Sequence, residues 1–480
     1  MRYDKIKMVK NRLYVINNFI NYPPFSIMAK KVKFGSRIGL IAATVGSAVG
    51  LGNVWRFPAE AQTNGGAAFL LLYVICVCLL GIPVMIAEFS LGRGTQSDAV
   101  GAFRKLSPKK KWWLTGALAI FASYLILSFY MVVAGWTLEY FWQSVTGQLY
   151  AHLNSPDGMV SSFREKMAEC ITGSWRPLIV TYIMIAVNLL VLMKGVQKGI
   201  EKMSNLMMPL LFVLLLGFAC VAMTFPKSME GLAFFLNPDF SKITPTVMIN
   251  ALGQAFFSLS LGMGILITYA GYFPKETNLL STSVTVAGLD MLVALLMGFI
   301  IFPAVMSFGL DGESLEGATL VFVTLPEVFV QLPLTQLWSA LFFLLLMVAA
   351  LTSTISLAEV SIAFLQDYFG LHRVKACLWV MLPLTVVSTL CSLSQGVLSD
   401  FRIFGFNLFD FLDNTATNIM LPVAAIFTCL FVGWAVPKEF IRKELTNNGK
   451  MNTSFVTPVV FIVRYVAPAL IALILIARFV

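Results

Sequence analysis

Gly46-Ser-Ala-Val-Gly-Leu-Gly-Asn-Val-Trp-Arg-Phe-Pro58 is the stretch on which the reading of this chain turns. Apolar runs precede it (Ile38 to Val45) and follow it (Ala67 to Leu80), which sets it at membrane depth. Gly50, Gly52 and Pro58 nevertheless weaken a helix there, and Arg56 adds a charge. Broken backbone survives in a bilayer only where protein or a watery cavity satisfies the freed N–H and C=O groups. An intramembrane arginine marks a pathway unless it merely snorkels to the interface. A second apolar segment is interrupted in the same way, at Phe257-Ser-Leu-Ser-Leu-Gly-Met-Gly264. Two broken helices in corresponding halves of a chain point to a secondary transporter built of inverted repeats. Half-helix N-termini there face an anionic group, and unwound carbonyls hold cations.

Composition agrees. The chain is 58% hydrophobic and 12% charged, a balance that soluble domains do not reach. Its formal charge of +10 could suggest nucleic acid. The lysines and arginines, however, lie in short loops between apolar spans, as the positive-inside rule requires, so no nucleic-acid partner is expected. Cysteines fall mostly inside spans, and Cys170 stands alone in the outer loops, so no disulfide is expected there. There is no zinc-type spacing, phosphate-binding Gly-Lys-Ser/Thr loop or nucleophile–base pair, so an enzyme or an ATP-driven cycle is not expected.

The chain reads as an all-α polytopic membrane protein with eleven spans: 37–61, 66–91, 112–143, 177–194, 203–225, 245–273, 279–308, 335–368, 372–395, 405–435 and 455–478. Basic residues crowd one side, among them Lys30, Lys31, Lys33, Arg37, Arg93, Arg104, Lys198, Lys275, Arg373, Lys438, Arg442 and Lys443. The other side carries Asp311, Glu313, Glu316 and Glu327. The N-terminus is thus expected in the cytoplasm and the C-terminus outside. Of the long outer loops 144–176, 226–244 and 309–334, the last is expected to form a short amphipathic plug around Leu325-Pro-Glu-Val-Phe-Val330. Residues 1–27 are polar, basic and patternless; they read as a disordered arm or an upstream extension before Met28.

Several motifs resemble those of the neurotransmitter:sodium symporters, especially the bacterial amino-acid branch. They are Gly50-Leu-Gly-Asn-Val-Trp-Arg-Phe-Pro58, Asn64-Gly-Gly-Ala-Ala-Phe69, Gly81-Ile-Pro83, Glu88, Lys198-Gly-Ile-Glu-Lys202, Gln254 to Gly264 and Leu351-Thr-Ser353. The resemblance runs from about Lys31 to Arg478. It implies a leucine-transporter-like fold of inverted five-helix repeats with spans 1 and 6 broken. The expected divisions are an N-terminal arm (1–36), repeat 1 (37–225), repeat 2 (245–435) and an eleventh helix (455–480). It further implies sodium-coupled import of an amino acid by alternating access, in the cytoplasmic membrane of a bacterium. The partners are then the substrate, sodium ions and the lipid bilayer, with the oligomeric state left open. Rival readings are a carrier of another small amine or osmolyte, and a transport-inactive sensor of the same fold.

The same resemblance distributes the site residues. A second sodium site would take the carbonyls of Gly46, Val49 and Ala349 with the hydroxyls of Thr352 and Ser353. A hydroxyl in a membrane helix otherwise bonds back to its own turn. A first sodium site would take the Ala48 carbonyl, Asn53, Ser258 and Asp290, where many relatives carry asparagine in place of Asp290. That carboxylate could supply the charge that a chloride provides in animal relatives, so chloride is not expected to be required. Tyr73, Gln254 and Ser258 keep polar groups of the chloride pattern, but position 294 is Ala.

The substrate carboxylate would meet the N–H groups of Leu51 and Gly52 and the Tyr130 hydroxyl. Its ammonium would meet the carbonyls of Ala48, Phe257 and Ser258, with Ser260. Gly50 stands where monoamine carriers have aspartate, so the substrate brings its own carboxylate. Ile126, Phe257, Met263, Ser353, Thr354 and Leu357 would shape an apolar pocket suited to hydrophobic or aromatic side chains. Arg56 with Asp413 would close the outside, under a lid of Phe257 and Tyr130 and with Asp410 nearby. Lys31 with Asp367, supported by Tyr272 and Glu359, would close the inside.

Overall fold

The computed structural model describes residues 32–151, 159–309, 317–450 and 454–477. Residues 1–27, Lys30, Lys31, Asp311, Glu313 and Glu316 lie outside these. Residues 33–480 make one compact unit, and among the described residues it is helical throughout, with no β-strand.

The chain runs as α1 (Arg37–Ala48), α2 (Gly52–Thr63), α3 (Ala67–Thr95), α4 (Ala99–Leu106), α5 (Trp113–Val145), α6 (Met159–Thr172), α7 (Arg176–Met193), α8 (Val196–Ala222) and α9 (Ser228–Leu236). It continues as α10 (Pro245–Ser258), α11 (Ile265–Ala270), α12 (Leu279–Phe308), α13 (Gly317–Val330), α14 (Thr335–Phe369), α15 (Arg373–Leu393), α16 (Leu408–Ala435), α17 (Lys438–Leu445) and α18 (Val456–Ala477). Nine of these helices are long and apolar enough to cross a membrane, and α1 with α2, bent by 55°, makes a tenth span. The pair α10 and α11, separated by residues 259–264, occupies the place of the broken sixth span.

Helix ends fall where local chemistry puts them. Ser36 caps α1, Asp98 caps α4, Thr244 caps α10, Asn278 caps α12 and Asn407 caps α16 through side-chain oxygens that accept early N–H groups. Gly309 and Gly370 end α12 and α14 in left-handed conformation. α14 runs through the middle of the bundle and is buried along most of its length. In contrast α8, α15 and α18 present Leu206, Val213, Trp379, Leu382, Val386 and Ile476 outward, an apolar belt suited to lipid.

Some boundaries differ from the sequence reading. α8 begins at Val196, seven residues before the expected 203, because Val196–Glu201 forms a wide helical turn after Gly195. Its Glu201 carboxylate accepts the Gly35 N–H, the Ser36 N–H and the Ser36 hydroxyl at 2.8–3.0 Å, which fixes the entry to α1. The outer loops hold helices α6 and α9 that hydrophobic periodicity did not reveal. The plug segment is helical as α13, but Leu325–Phe329 are buried on every side, so the expected amphipathic face is absent. Phe322 of α13 packs on Tyr140 at 4.7 Å and Phe343 at 5.9 Å, and that aromatic stack draws the segment inward.

Candidate functional site

Both helix breaks face each other, and each satisfies the other's loose backbone. At the first, Val49 is extended and α2 begins after Leu51. The Leu51 N–H donates to the Tyr130 hydroxyl of α5 at 3.0 Å, and the Gly50 N–H reaches Asn53 Oδ1 at 3.3 Å. Carbonyls at the end of α1 are met from outside: Ser260 donates to Ser47 at 2.9 Å, and Ser353 donates to Val49 at 3.1 Å and Gly46 at 3.4 Å. At the second break, Ser260, Gly262 and Gly264 all have positive φ. The Gly262 N–H donates to the buried Glu88 carboxylate at 2.8 Å, and the Met263 carbonyl accepts from Ser123. Glu88 and Ser123 are thus clamps on the break; only Glu88 stood out in sequence, among the motifs of the resemblance.

One cavity spans the two breaks. It is lined by Ala48, Gly50, Gly52, Ile126, Tyr130, Phe257, Ser258, Ser260, Met263, Ser353 and Leu357, and also by Ser47 and Ile265, which sequence reasoning missed. Ser47 and Ile265 each sit beside a helix break, and that adjacency was the available signal. Leu51 contributes its N–H rather than its side chain. Thr354 does not line this cavity: its hydroxyl bonds back to the Leu351 carbonyl at 3.1 Å, as membrane hydroxyls commonly do. Gly50 is a point of close approach. A Cβ there would lie 2.8 Å from Ser353 Oγ and 2.9 Å from the Tyr130 hydroxyl.

Two polar clusters adjoin the cavity. In one, the fully buried Asp290 carboxylate accepts from Asn53 Nδ2 at 2.9 Å and from Ser258 at 2.5 Å. Asn53 Nδ2 also reaches Ser258 Oγ at 3.0 Å. Tyr73 points its hydroxyl at the same pair, 3.2 Å from Ser258 and 3.4 Å from Asp290. Gln254 donates to the Gly52 carbonyl at 3.1 Å and has its side-chain oxygen unpartnered, while Ala294 is buried nearby on the helix of Asp290. In the other, Ser353 bridges to Gly46 and Val49 while Thr352 turns to its own helix, 3.0 Å from the Ala349 carbonyl. The five oxygens of the expected second site thus fall into two hydrogen-bonded sets, Ser353 with Gly46 and Val49 across α1 and α14, and Thr352 with Ala349 within α14. That set of hydroxyls and carbonyls suits a small hard cation. In the first cluster the amide nitrogen of Asn53 faces Asp290, so an ion there requires the amide to turn its oxygen inward.

Above the cavity lies a vestibule of about 390 Å³ lined by Trp55, Arg56, Ala59, Glu60, Thr63, Gly317, Asp413, Thr417 and Asn418. Arg56 and Asp413 share it, but the ion contact of Arg56 is with Glu60, one turn along α2, at 4.0 Å. Its guanidinium sits 4.7 Å from the centre of the Phe257 ring, which separates vestibule from cavity. The Thr417 hydroxyl lies 3.3 Å from Asp413 Oδ1, and Asp410 is occupied in the cap of α16 with Asn407. The expected Arg56–Asp413 pair is thus divided across the vestibule, with Glu60, which the sequence reading passed over, as the nearer acid.

At the opposite end the interior is filled. Phe34 is buried, packs edge-on to Tyr269 and Tyr272, and donates its N–H to the Tyr272 carbonyl. Glu359 does not serve Asp367: it takes a two-pronged bond from Arg373 at 2.6 and 2.7 Å and accepts from the Tyr272 hydroxyl at 2.6 Å. The Asp367 carboxylate accepts the Asp98 N–H at 2.9 Å. Arg373 entered the sequence reading only as a loop charge, and its partner lies 14 residues away around a helix turn.

Comparison with known proteins places this geometry. The chain matches the sequence profile of the sodium:neurotransmitter symporter family over residues 31–157 and 159–480. It is 37% identical over 445 residues to an uncharacterized sodium-dependent transporter, YhdH, of Bacillus subtilis, covering 93% of this chain and 97% of that one. It is 34% identical over 431 residues to a sodium-dependent transporter of Methanocaldococcus jannaschii, covering 87% and 84%. Among solved structures it is similar to MhsT in complex with L-phenylalanine, with a TM-score of 0.85 and 39% identity over 94% of this chain and 100% of that one. The fold is therefore that of the leucine-transporter-like symporters, with broken helices 1 and 6.

Proposed function

Because the chain belongs to the sodium:neurotransmitter symporter family, which comprises sodium-coupled transporters and not enzymes, we propose that it imports hydrophobic or aromatic L-amino acids with two sodium ions. The close approach at Gly50 carries this reading. With Ser353 and Tyr130 within 2.9 Å of a notional Cβ, the protein has no room for a carboxylate of its own, so the substrate must bring one. Donors for it are the amides that open α2, favoured by the helix dipole, and the Tyr130 hydroxyl. Among the cavity-lining side chains are Ile126, Phe257, Met263, Ile265 and Leu357 and no ionised group, which favours an apolar substrate side chain. That MhsT is described with L-phenylalanine supports the same class.

In this reading Asp290, Asn53, Ser258 and the Ala48 carbonyl hold the first sodium. Gly46, Val49, Ala349, Thr352 and Ser353 hold the second. Transport exchanges the two ends of the molecule: spans 37–61, 66–91, 245–273 and 279–308 rock against the rest, Arg56 leaves Glu60 for Asp413, and the Phe34 packing opens together with the inner gate proposed for Lys31 and Asp367. Uptake of a labelled amino-acid panel into proteoliposomes tests it. Phenylalanine, tryptophan, tyrosine or leucine should accumulate only with an inward sodium gradient. Preference for lysine, glutamate or a carboxylate-free amine would refute the substrate class.

A further inference from the structure

We propose that Arg464, Trp434 and Tyr465 form a binding site for the phosphate of an anionic phospholipid, at the end of the bundle where α16 gives way to α17 and α18. Arg464 lies in α18, eight residues after its start at Val456, on a helix whose Phe461, Tyr465 and Leu473 are exposed. Side chains on a helix lean toward its N-terminus, so the guanidinium reaches back toward the bilayer surface. It arrives at the last turn of α16. Its central carbon is 4.2 Å from the centre of the Trp434 ring and 5.7 Å from that of Tyr465. Trp434 is itself exposed, at the membrane depth where tryptophans gather. The indole N–H donates to the Arg464 carbonyl at 3.1 Å, which holds the ring in place. Gly433 allows that seat, since a Cβ there would lie 2.8–3.1 Å from Cα, Cβ and Cγ of Arg464.

The seat lacks a counter-ion. Among the described residues no carboxylate pairs with Arg464, and its buried Nε has no hydrogen-bond partner. A cation at the edge of hydrocarbon needs an anion, and an aromatic face supplies none. Two neighbouring features identify the source. α17 buries Ile441 and Leu445 while exposing Lys438, Arg442 and Lys443, a basic amphipathic helix of the kind that draws anionic lipid. Beside the seat, Phe461 and Tyr465 stand exposed on α18, an apolar face suited to lie against an acyl chain. A free anion would use the charge but not that apolar face; a phospholipid uses both.

Native mass spectrometry of the full-length protein in detergent tests the site, titrating phosphatidylglycerol, phosphatidylcholine with the same chains, or inorganic phosphate. Phosphatidylglycerol should form one tight adduct that phosphatidylcholine and phosphate do not reproduce. Arg464→Gln should weaken it about five-fold, the effect of one interfacial cation, and Arg464→Lys should retain most of it. Trp434→Leu should weaken it with the charge intact, and this variant decides if Arg464→Gln fails to insert. Equal binding of phosphatidylglycerol and phosphatidylcholine, displacement by inorganic phosphate, or unchanged affinity in the variants would overturn the proposal. So would a lipid-free dimer that depends on Arg464, since the surface would then join two copies of the chain.

Discussion

At Ser353 one hydroxyl ties α14 to the carbonyls of both Gly46 and Val49, whereas its neighbour Thr352 spends its own on α14. The two residues should therefore differ when a cation competes for them. Ser353 already crosses between helices, and Thr352 must leave the Ala349 carbonyl to join it. Thr352→Ala and Ser353→Ala together should abolish sodium-driven uptake while the protein still inserts, and Ser353→Ala alone should cost more than Thr352→Ala. Sodium titration of uptake checks this; normal sodium dependence in the double variant would refute the second site. Gly50→Ala is the complementary test of the cavity. Its methyl meets two hydroxyls inside van der Waals contact, an overpacking of about 1–3 kcal/mol, so apparent substrate affinity should fall roughly 5- to 150-fold. Sodium affinity, followed by intrinsic fluorescence, should fall as well, because one of the two crowded hydroxyls is that of Ser353, a ligand of the proposed second site.

The helices themselves were largely legible, because a long apolar run between basic loops can hardly fold as anything but a membrane span. The two breaks were legible as well: glycines and serines in hydrocarbon demand a polar environment, and the structure supplies it through Glu88, Ser123, Ser260 and Ser353. What periodicity did not disclose was partner choice. Arg56 and Asp413 carry opposite charges on distant spans, yet in this arrangement Arg56 bonds within its own helix to Glu60 and stacks on Phe257. Glu359 in turn answers to Arg373, because a helix turn and a short loop bring them face to face. Pairing depends on angstrom-scale geometry and on conformational state, neither of which residue identities alone encode. The gate is therefore best tested as a movement. A cysteine at Thr417, which lines the vestibule, should be modified readily in sodium and protected when substrate is added. Arg56→Ala and Asp413→Ala should each abolish that protection and slow uptake. Glu60→Gln should leave protection intact, since Glu60 holds Arg56 only while the vestibule is open. Protection that persists in both gate variants would refute the exchange of partners.

Over the whole molecule, charge has to balance at mid-membrane. In the proposed stoichiometry two sodium ions and a zwitterion would leave a net charge of two, deep in a low-dielectric core where an uncompensated ion is costly. Asp290 is a buried carboxylate placed to offset one of the two, and its surroundings are arranged for an anion. Ser258 at 2.5 Å and Tyr73 at 3.4 Å both aim hydroxyl groups at it, with Asn53 at 2.9 Å on the other oxygen. Donors that could cradle a mobile anion are thus occupied by a fixed one, and Ala294 offers no further polar group beside them. Uptake with gluconate replacing chloride at constant sodium should therefore equal uptake in chloride. Asp290→Asn removes the charge and keeps an oxygen, so sodium affinity should fall, and chloride becomes the test of why. If the loss is one of charge, added chloride should restore part of the uptake through the hydroxyls of Tyr73 and Ser258 and the Gln254 amide N–H, which must then leave the Gly52 carbonyl. Recovery should stay incomplete without a fourth donor at position 294. If wild-type uptake collapses in gluconate, Asp290 does not balance the ions, and the compensating charge must enter from solution with each cycle.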